Sequence, residues 1–137
     1  MAQKLTLELV TPAKQVLSES VDEITAPGTM GQFGVLPGHT PMLTTLEVGE
    51  LSYRKDSQTF YVAVNWGYVE IEEDRVTILV ETAEVEDEID LERARAALGR
   101  AEKALAEMTG EQKEYLVMEQ ALARAMARIQ VAGRKAR

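Results

Sequence analysis

The sequence predicts an α+β fold, in which an N-terminal antiparallel β-sandwich (residues 1–84) precedes a C-terminal antiparallel α-helical hairpin (residues 85–137). Two observations lead to this prediction. Up to residue 80, apolar residues alternate with polar ones in short runs separated by turn residues, as in the half-buried strands of a sandwich. From residue 90 onward, apolar residues recur every three or four positions, which is the spacing of one helix face.

The first strands are predicted from alternation and from the turns between them. Leucine occupies every second position from Leu5 to Leu9, so this segment presents one apolar face. A turn at residues 11–14 leads to a short strand that begins at Val16, and a third strand over residues 21–26 ends at Pro27.

The segment of residues 31–43 contains three glycines and two prolines between apolar side chains. Glycine permits backbone angles that other residues avoid, and proline fixes its own φ and donates no hydrogen bond. The segment therefore predicts two short strands joined by a sharp corner at Pro37-Gly38-His39.

The remaining strands follow in quick succession. A strand over residues 46–48 is expected to turn at Gly49, and a hairpin is predicted around the polar residues 54–58. Alternating runs then continue to residue 80, with a break at Asn65-Trp66-Gly67 and a solvated turn at Glu72-Glu73-Asp74. Because these strands are too close together for crossover helices, a parallel sheet is not expected.

Two amphipathic helices follow an acidic linker. Asp90 is the predicted N-cap of the first helix, and Thr109 with Gln112 forms a capping-box pattern for the second. Alanines on both apolar faces bury little area, so the hairpin should be able to move or open, and its basic end from Gly133 is expected to fray. The apolar faces comprise Leu91, Ala94, Leu98, Ala101, Leu105 and Met108 in the first helix, and Tyr115, Met118, Leu122, Ala125, Ile129 and Ala132 in the second.

Composition excludes several classes of function. The chain has no cysteine and one histidine, His39, and it contains no G-x-x-x-x-G-K-[ST] phosphate loop, so no catalytic constellation is evident. Residues 1–89 carry a net charge of −11, which argues against nucleic acid as a partner, whereas residues 90–137 carry +3 and suit an acidic protein or an anionic ligand. Neither a signal peptide nor an apolar run of the ~20 residues that a membrane span needs is visible, so no direct membrane insertion is expected.

Arginines in the predicted hairpin form a candidate ligand site. Arg93 and Arg100 share one face of the first helix, and Arg124 and Arg128 share one face of the second. Such a cluster suits phosphate groups, and the nearby Glu84 and Asp90 could accept hydrogen bonds from an adenine amino group or a ribose hydroxyl. From spacing alone, ordinary ion pairing within and between the helices is the favoured explanation.

The glycine-rich segment resembles the signature G-x-x-G-x-L-P-G-H-x-P-x-L of the epsilon subunit of F-type ATP synthases, and the similarity extends over nearly the whole chain. The matched positions are Gly31, Gly34, Leu36, Pro37, Gly38, His39, Pro41 and Leu43. One local departure is visible, because many relatives have Ser-Gly-Gly where this chain has Asn65-Trp66-Gly67.

The resemblance implies a non-catalytic rotor subunit on the cytoplasmic face of the bacterial inner membrane. Its expected partners are the gamma subunit, the c ring of the membrane sector and, in an inhibited state, the alpha/beta catalytic hexamer. The hairpin would act as a mobile brake on ATP hydrolysis. The residues implied at or near the rotor contact are Gly31, Gln32, Pro37, Gly38 and His39.

The resemblance also implies regulatory ATP binding by the hairpin. Residues 89–94 match the family motif I/L-D-x-x-R-A, which is associated with ATP binding in some bacterial epsilon subunits. The implied ATP-binding residues are Glu84, Asp90, Arg93, Arg100, Arg124 and Arg128.

The alternative function is a free-standing β-sandwich module that binds a small ligand or a peptide. A hydrolase is disfavoured by the single histidine.

Overall fold

The computed structural model describes residues 3–111 and 113–135. Ten strands are followed by a short 3₁₀ turn at Glu86–Glu88 and two helices, α1 (Leu91–Ala106) and α2 (Lys113–Lys135), which confirms the predicted fold class. The strands are β1 (Leu5–Val10), β2 (Gln15–Val21), β3 (Glu23–Gly28), β4 (Gly31–Val35), β5 (Met42–Leu46), β6 (Gly49–Lys55), β7 (Gln58–Val64), β8 (Gly67–Glu72), β9 (Arg75–Val80) and β10 (Ala83–Val85).

The strands form two layers that share one corner. One layer has the order β10-β7-β6-β3, with β4 also paired to β3, and the other has the order β5-β8-β9-β1-β2. The layers are joined at a single residue pair, Gly28 with Leu46.

Gly49 begins β6 instead of forming the predicted turn. The turn lies at Glu47-Val48, where the Glu47 amide donates to the Pro27 carbonyl at 2.9 Å.

One pair of strands contradicts the expectation of a purely antiparallel arrangement. Strands β1 and β9 run parallel, with Leu7 opposite Val76 and Leu9 opposite Ile78. A crossover helix is needed only when parallel partners follow each other in the chain. Here seven other strands lie between the two partners, and they bring β9 back alongside β1 in the same direction.

The hydrophobic core lies between the two layers of the sandwich. The inward-facing residues of β1 are fully buried, as are Ile24 of β3, Leu51 of β6 and Ile78 of β9. At about 25 cal/mol per Å² of apolar area removed from water, this core is the main source of stability in the chain. None of the helical residues that the structure describes belongs to this core.

The corner at Pro37-Gly38-His39 is a type II turn. The His39 amide donates to the Leu36 carbonyl at 3.1 Å, Pro37 stands at the second position, and Gly38 has a φ of +87° at the third. The Gly38 amide also donates to Asp74 Oδ1 at 2.6 Å, which ties the corner to the β8–β9 turn. Asp74 is thus a structural partner of the corner, in addition to being part of a solvated turn.

The helical hairpin has the predicted start and an unexpected end. Asp90 caps α1, since its Oδ1 accepts a hydrogen bond from the Arg93 amide at 3.1 Å. The predicted capping box of α2 depends on Gln112, which lies outside the described residues. The helix continues through Lys135, so the prediction that its end frays from Gly133 is wrong for residues 133–135, and Ala136 and Arg137 lie outside the described range.

Candidate functional site

A cavity of about 540 Å³ lies between the helical hairpin and the sandwich. Its sandwich side is formed by the end of β7, by Thr82 and by Glu84 on β10, and its other walls are formed by the facing sides of α1 and α2. Small alanines line much of the helical wall, which leaves room for a ligand between the two elements. The volume lies within the range of about 300–1,000 Å³ that is usual for small-molecule sites.

Four of the six predicted ATP-binding residues line this cavity: Glu84, Arg100, Arg124 and Arg128. Glu84 lies on β10, opposite Ala63 of β7, while the arginines project from the two helices. The tertiary structure therefore brings together residues that are up to 44 positions apart in the sequence.

Glu84 and Arg128 form an ion pair inside the site. Arg128 Nε lies 2.6 Å from Glu84 Oε1, and Arg128 Nη2 donates to Glu84 Oε2 at 3.4 Å. Neither Arg100 nor Arg124 forms an ion pair with any residue that the structure describes. The charges of Arg100 and Arg124 are therefore not neutralised by a carboxylate of the described residues. Arg128 is paired with Glu84, which also lines the cavity.

Asp90 and Arg93 do not line the cavity. The carboxylate of Asp90 is engaged in the cap of α1, and the Arg93 side chain is exposed on the first turn of that helix. In this conformation, the matched motif of residues 89–94 therefore starts and positions α1, and the cavity wall is supplied by residues farther along the hairpin.

Sequence reasoning missed Asn65, which also lines the cavity. Asn65 is only 5% exposed, and its Oδ1 accepts no hydrogen bond from any described residue. Its position in the break after β7 was visible in the sequence, but the burial of the side chain depends on the packing of the hairpin against that break.

A second feature that was missed lies at the far end of α2. Arg134 Nη2 and Nε donate to the two carboxylate oxygens of Glu50 at 2.8 and 2.9 Å, and the guanidinium lies 4.7 Å from the centre of the Tyr61 ring. Gln130 Nε2 adds a longer contact of 3.5 Å to Glu50. The hydrogen bonds to the Glu50 carboxylate raise the pKa of Arg134 above its ordinary value. We call Glu50, Tyr61 and Arg134 the C-terminal latch.

The residues predicted at the rotor contact do not form one cluster. Gly31 and Gln32 begin β4 and are exposed, next to the 96%-exposed Met30 at the β3–β4 turn. The corner at residues 37–39 lies beyond the other end of the same strand, where His39 Nδ1 is 2.6 Å from the Thr40 carbonyl oxygen. The structure therefore separates these residues into two groups along β4.

The sandwich also has an exposed apolar face. A groove of about 740 Å³ is lined by residues that include Trp66, Tyr68 and Leu79, which are 41%, 57% and 49% exposed. Gly67 permits this arrangement, because a Cβ at this position would lie only 1.9 Å from the Leu79 carbonyl oxygen. None of the described residues that line this groove belongs to the hairpin, so the hairpin leaves this face open.

Residues 3–111 and 113–135 contain no group of three or more side chains that could hold a metal ion. No helix within these ranges combines the length and the hydropathy that a membrane span requires.

Comparisons with protein families match both halves of the chain. A model described as the β-sandwich domain of the ATP synthase delta/epsilon chain matches residues 4–86. A model described as the long α-helix domain of the same chain matches residues 87–133.

Similar curated proteins match over the full length. A protein of Syntrophotalea carbinolica named ATP synthase epsilon chain 2 is 72% identical over 137 residues, which is all of this chain and 99% of that protein. The ATP synthase epsilon chain of Geobacter sulfurreducens is 63% identical, with the same coverage of both chains.

Solved structures show the same fold at lower identity. A chain in the mitochondrial ATP synthase of Euglena gracilis, in a structure of OSCP, F1 and c ring, superposes with a TM-score of 0.81 at 23% identity, covering 95% of this chain and 81% of that one. A chain from the central stalk and c ring of the Tetrahymena thermophila mitochondrial enzyme gives a TM-score of 0.56 at 17% identity, covering 98% of both.

Proposed function

The chain belongs to the delta/epsilon chain family of ATP synthases, and on this premise we propose that it is the epsilon subunit in the central stalk of a bacterial F-type ATP synthase. Family membership confirms the resemblance inferred from the sequence. In this role the subunit is non-catalytic: it transmits rotation between proton flow and ATP synthesis, and it regulates turnover. It is peripheral to the cytoplasmic face of the inner membrane.

The gamma subunit binds the exposed apolar face of the sandwich. Trp66, Tyr68 and Leu79 present a large apolar area there, and exposed areas of this kind are typical of protein interfaces. The two groups along β4, which include Gln32 and His39, lie at the contact with the c ring. The sharp turn at Gly38 and its hydrogen bond to Asp74 hold the second group in a defined shape.

The hairpin regulates ATP hydrolysis by exchanging between two positions. In the position described here, α2 packs against β6 and β7 and is held by the C-terminal latch and by the Glu84–Arg128 pair. In a second, extended position the basic hairpin meets the acidic surface of the alpha/beta hexamer and hinders hydrolysis. Any ligand that binds only one position shifts the equilibrium toward it.

ATP is the ligand that stabilises the docked position. The observation that supports this proposal is the cavity between hairpin and sandwich, in which Arg100 and Arg124 have no carboxylate partner among the described residues. The planar guanidinium group of arginine suits phosphate, because it donates two parallel hydrogen bonds. Since the walls come from both elements, a nucleotide bound there contacts the hairpin and the sandwich at once.

The ATP site is tested by calorimetry on the isolated full-length chain. The parent protein should bind ATP with one site, and Arg124→Ala should weaken binding about tenfold or more, as expected for the loss of charge-assisted bonds to phosphate. Arg95→Ala is the matched control, because Arg95 lies on an exposed part of α1 and does not line the cavity. Absence of ATP binding by the parent protein would rule out the site.

The rotor assignment is tested separately by association with gamma. The full chain should form a one-to-one complex with the gamma subunit, and Trp66→Asp should disrupt it while the sandwich remains folded. Ser20→Asp is the control, since Ser20 is an exposed residue of β2 and lies outside the apolar groove. A chain that remains alone in the presence of gamma would instead be a free-standing binding module.

A further inference from the structure

Asn65 has an unusual environment for a buried amide. It is 5% exposed, and its Oδ1 accepts no hydrogen bond from any described residue. Its backbone amide is engaged, because it donates to the Thr82 carbonyl at 3.0 Å. The side-chain oxygen is therefore a buried acceptor without a partner among the described residues.

Buried polar atoms without partners are rare in folded proteins. A buried acceptor that lacks a hydrogen bond costs roughly 1–3 kcal/mol, so such an atom needs a particular explanation. The Asn65 amide lines the cavity that we propose as the nucleotide site, next to Val64 and close to Glu84 on the adjoining strand. A hydrogen-bond donor that enters the cavity with a ligand would satisfy it.

The charges of the cavity determine which part of a nucleotide meets Asn65. Arg100 and Arg124 project from the helices, whereas Glu84 is on β10, beside the strand end that precedes Asn65. A triphosphate is attracted by these two arginines, which have no ion-pair partner among the described residues, whereas the charge of Glu84 is already balanced by its ion pair with Arg128. The phosphates therefore belong on the helical side, and the base belongs on the sandwich side with Asn65.

We propose that the Asn65 side-chain carbonyl oxygen accepts a hydrogen bond from the exocyclic amino group of the bound adenine base and thereby makes the site prefer ATP to nucleotides without this group. The proposal rests on the nucleotide site described above and adds base discrimination to it. A site built around a specific polar group rejects analogues that leave that group unpaired.

Inosine triphosphate provides the direct comparison, because it carries an oxygen where adenine carries the amino group. In the ITP complex, that oxygen and Asn65 Oδ1 would both be hydrogen-bond acceptors, so no hydrogen bond could form between them. We expect the full-length chain to bind ATP about tenfold more tightly than ITP, because the ITP complex lacks one hydrogen bond and leaves the Asn65 acceptor unpaired. In Asn65→Ala the ratio should fall to about threefold or less, mainly through weaker ATP binding.

Two further variants keep the test independent of folding. Asn65→Leu has nearly the same size and lacks the acceptor, so it should lose the same discrimination without opening a cavity. Gln58→Ala is the matched control at the exposed start of β7 and should retain the parent ratio. The thermal midpoint of each ligand-free variant shows that it is folded.

The outcomes separate this inference from the nucleotide site itself. If the parent protein binds neither ATP nor ITP, both proposals fail. If ATP binds but the ATP-to-ITP ratio is the same in the parent, Asn65→Ala and Asn65→Leu, the nucleotide site stands and the role of Asn65 is refuted. The role of Asn65 would also be refuted if the parent protein preferred ITP to ATP. It would be refuted too if Asn65→Ala reduced the preference for ATP over deoxy-ATP and left the preference for ATP over ITP unchanged.

Discussion

Gly38 determines the shape of the turn between β4 and β5. Its φ of +87° is one that side chains rarely adopt, and it allows the turn from Leu36 to His39 to close. The same residue donates its amide hydrogen to Asp74, so the turn is linked to the β8–β9 connection 36 positions later. A single glycine thus connects the local conformation to the tertiary structure.

Gly38→Ala should lower the free energy of unfolding by about 1–2 kcal/mol, because a side chain at positive φ is strained. Denaturant unfolding of the purified chain measures the change. Gly99→Ala is the matched control with the opposite sign: Gly99 lies exposed within α1 with open space around it, so the alanine should stabilise the chain by up to about 1 kcal/mol. Equal effects of both substitutions would contradict this description of the turn.

At the scale of elements, α2 has two buried faces. The predicted alanine face packs against α1, and a second set that includes Ala127, Val131 and Arg134 lies toward the sandwich. The C-terminal latch supplements this second face with a half-buried, two-bonded ion pair between Arg134 and Glu50. The hairpin is therefore docked by a small apolar area and a few directional polar contacts, which suits the exchange between two positions that we propose for it.

Glu50→Ala should loosen the end of α2 from the sandwich. Loss of the ion pair and of the ordered guanidinium should cost about 1 kcal/mol, which is roughly a fivefold rise in the undocked population. Hydrogen exchange of amides in the last turns of α2 measures this rise. Glu47→Ala is the control, because Glu47 is an exposed neighbour of β6 that forms no ion pair with a described residue. Unchanged exchange in Glu50→Ala would contradict the latch.

Local elements could be predicted from the sequence because their signals are local. Alternation identified β1 and β9, and the three-to-four spacing with Asp90 identified α1. The parallel pairing of β1 with β9 could not be predicted, since it joins segments nearly seventy positions apart without a local signal. The tail of α2 was misjudged for a related reason: Arg134 is ordered by Glu50, a partner 84 positions away.

The candidate site was predictable only in part. Charge and spacing selected Arg100, Arg124 and Arg128, which the hairpin does bring to one cavity together with Glu84. Sequence spacing could not separate Arg93 from this set, because it gives the face of a helix but not what that face meets. Asn65 carried no chemical signal of its own, and only its burial without a partner makes it notable.

At the scale of the whole molecule, the hydrophobic core lies within the sandwich, and the hairpin packs against the outside of it. The residues of the core cluster all lie within residues 5–80, and the partly buried residues packed against it end at Val85. The division predicted between residues 84 and 85 falls inside β10, and this short strand still pairs with β7. The family models divide at residues 86 and 87, just beyond that strand.

A chain truncated after Glu88 should therefore fold cooperatively, because it retains β10 and the whole core. In the assembled enzyme it should raise the rate of ATP hydrolysis, since the proposed brake has been removed. Circular dichroism with thermal melting tests the first expectation, and ATPase assays of the reconstituted complex test the second. An unfolded product would contradict the separation into two parts, and an unchanged hydrolysis rate would contradict the brake.

The central claim is that ATP holds the hairpin against the sandwich, and the most direct test is a distance measurement on the full chain. Because the sequence contains no cysteine, Thr59→Cys and Ala123→Cys allow two spin labels to be placed specifically, one on β7 and one on α2, both at exposed positions. We predict that saturating ATP collapses a broad distribution of label-to-label distances to a single short one and that Arg124→Ala prevents this change. A distribution that ATP leaves unchanged would contradict the claim.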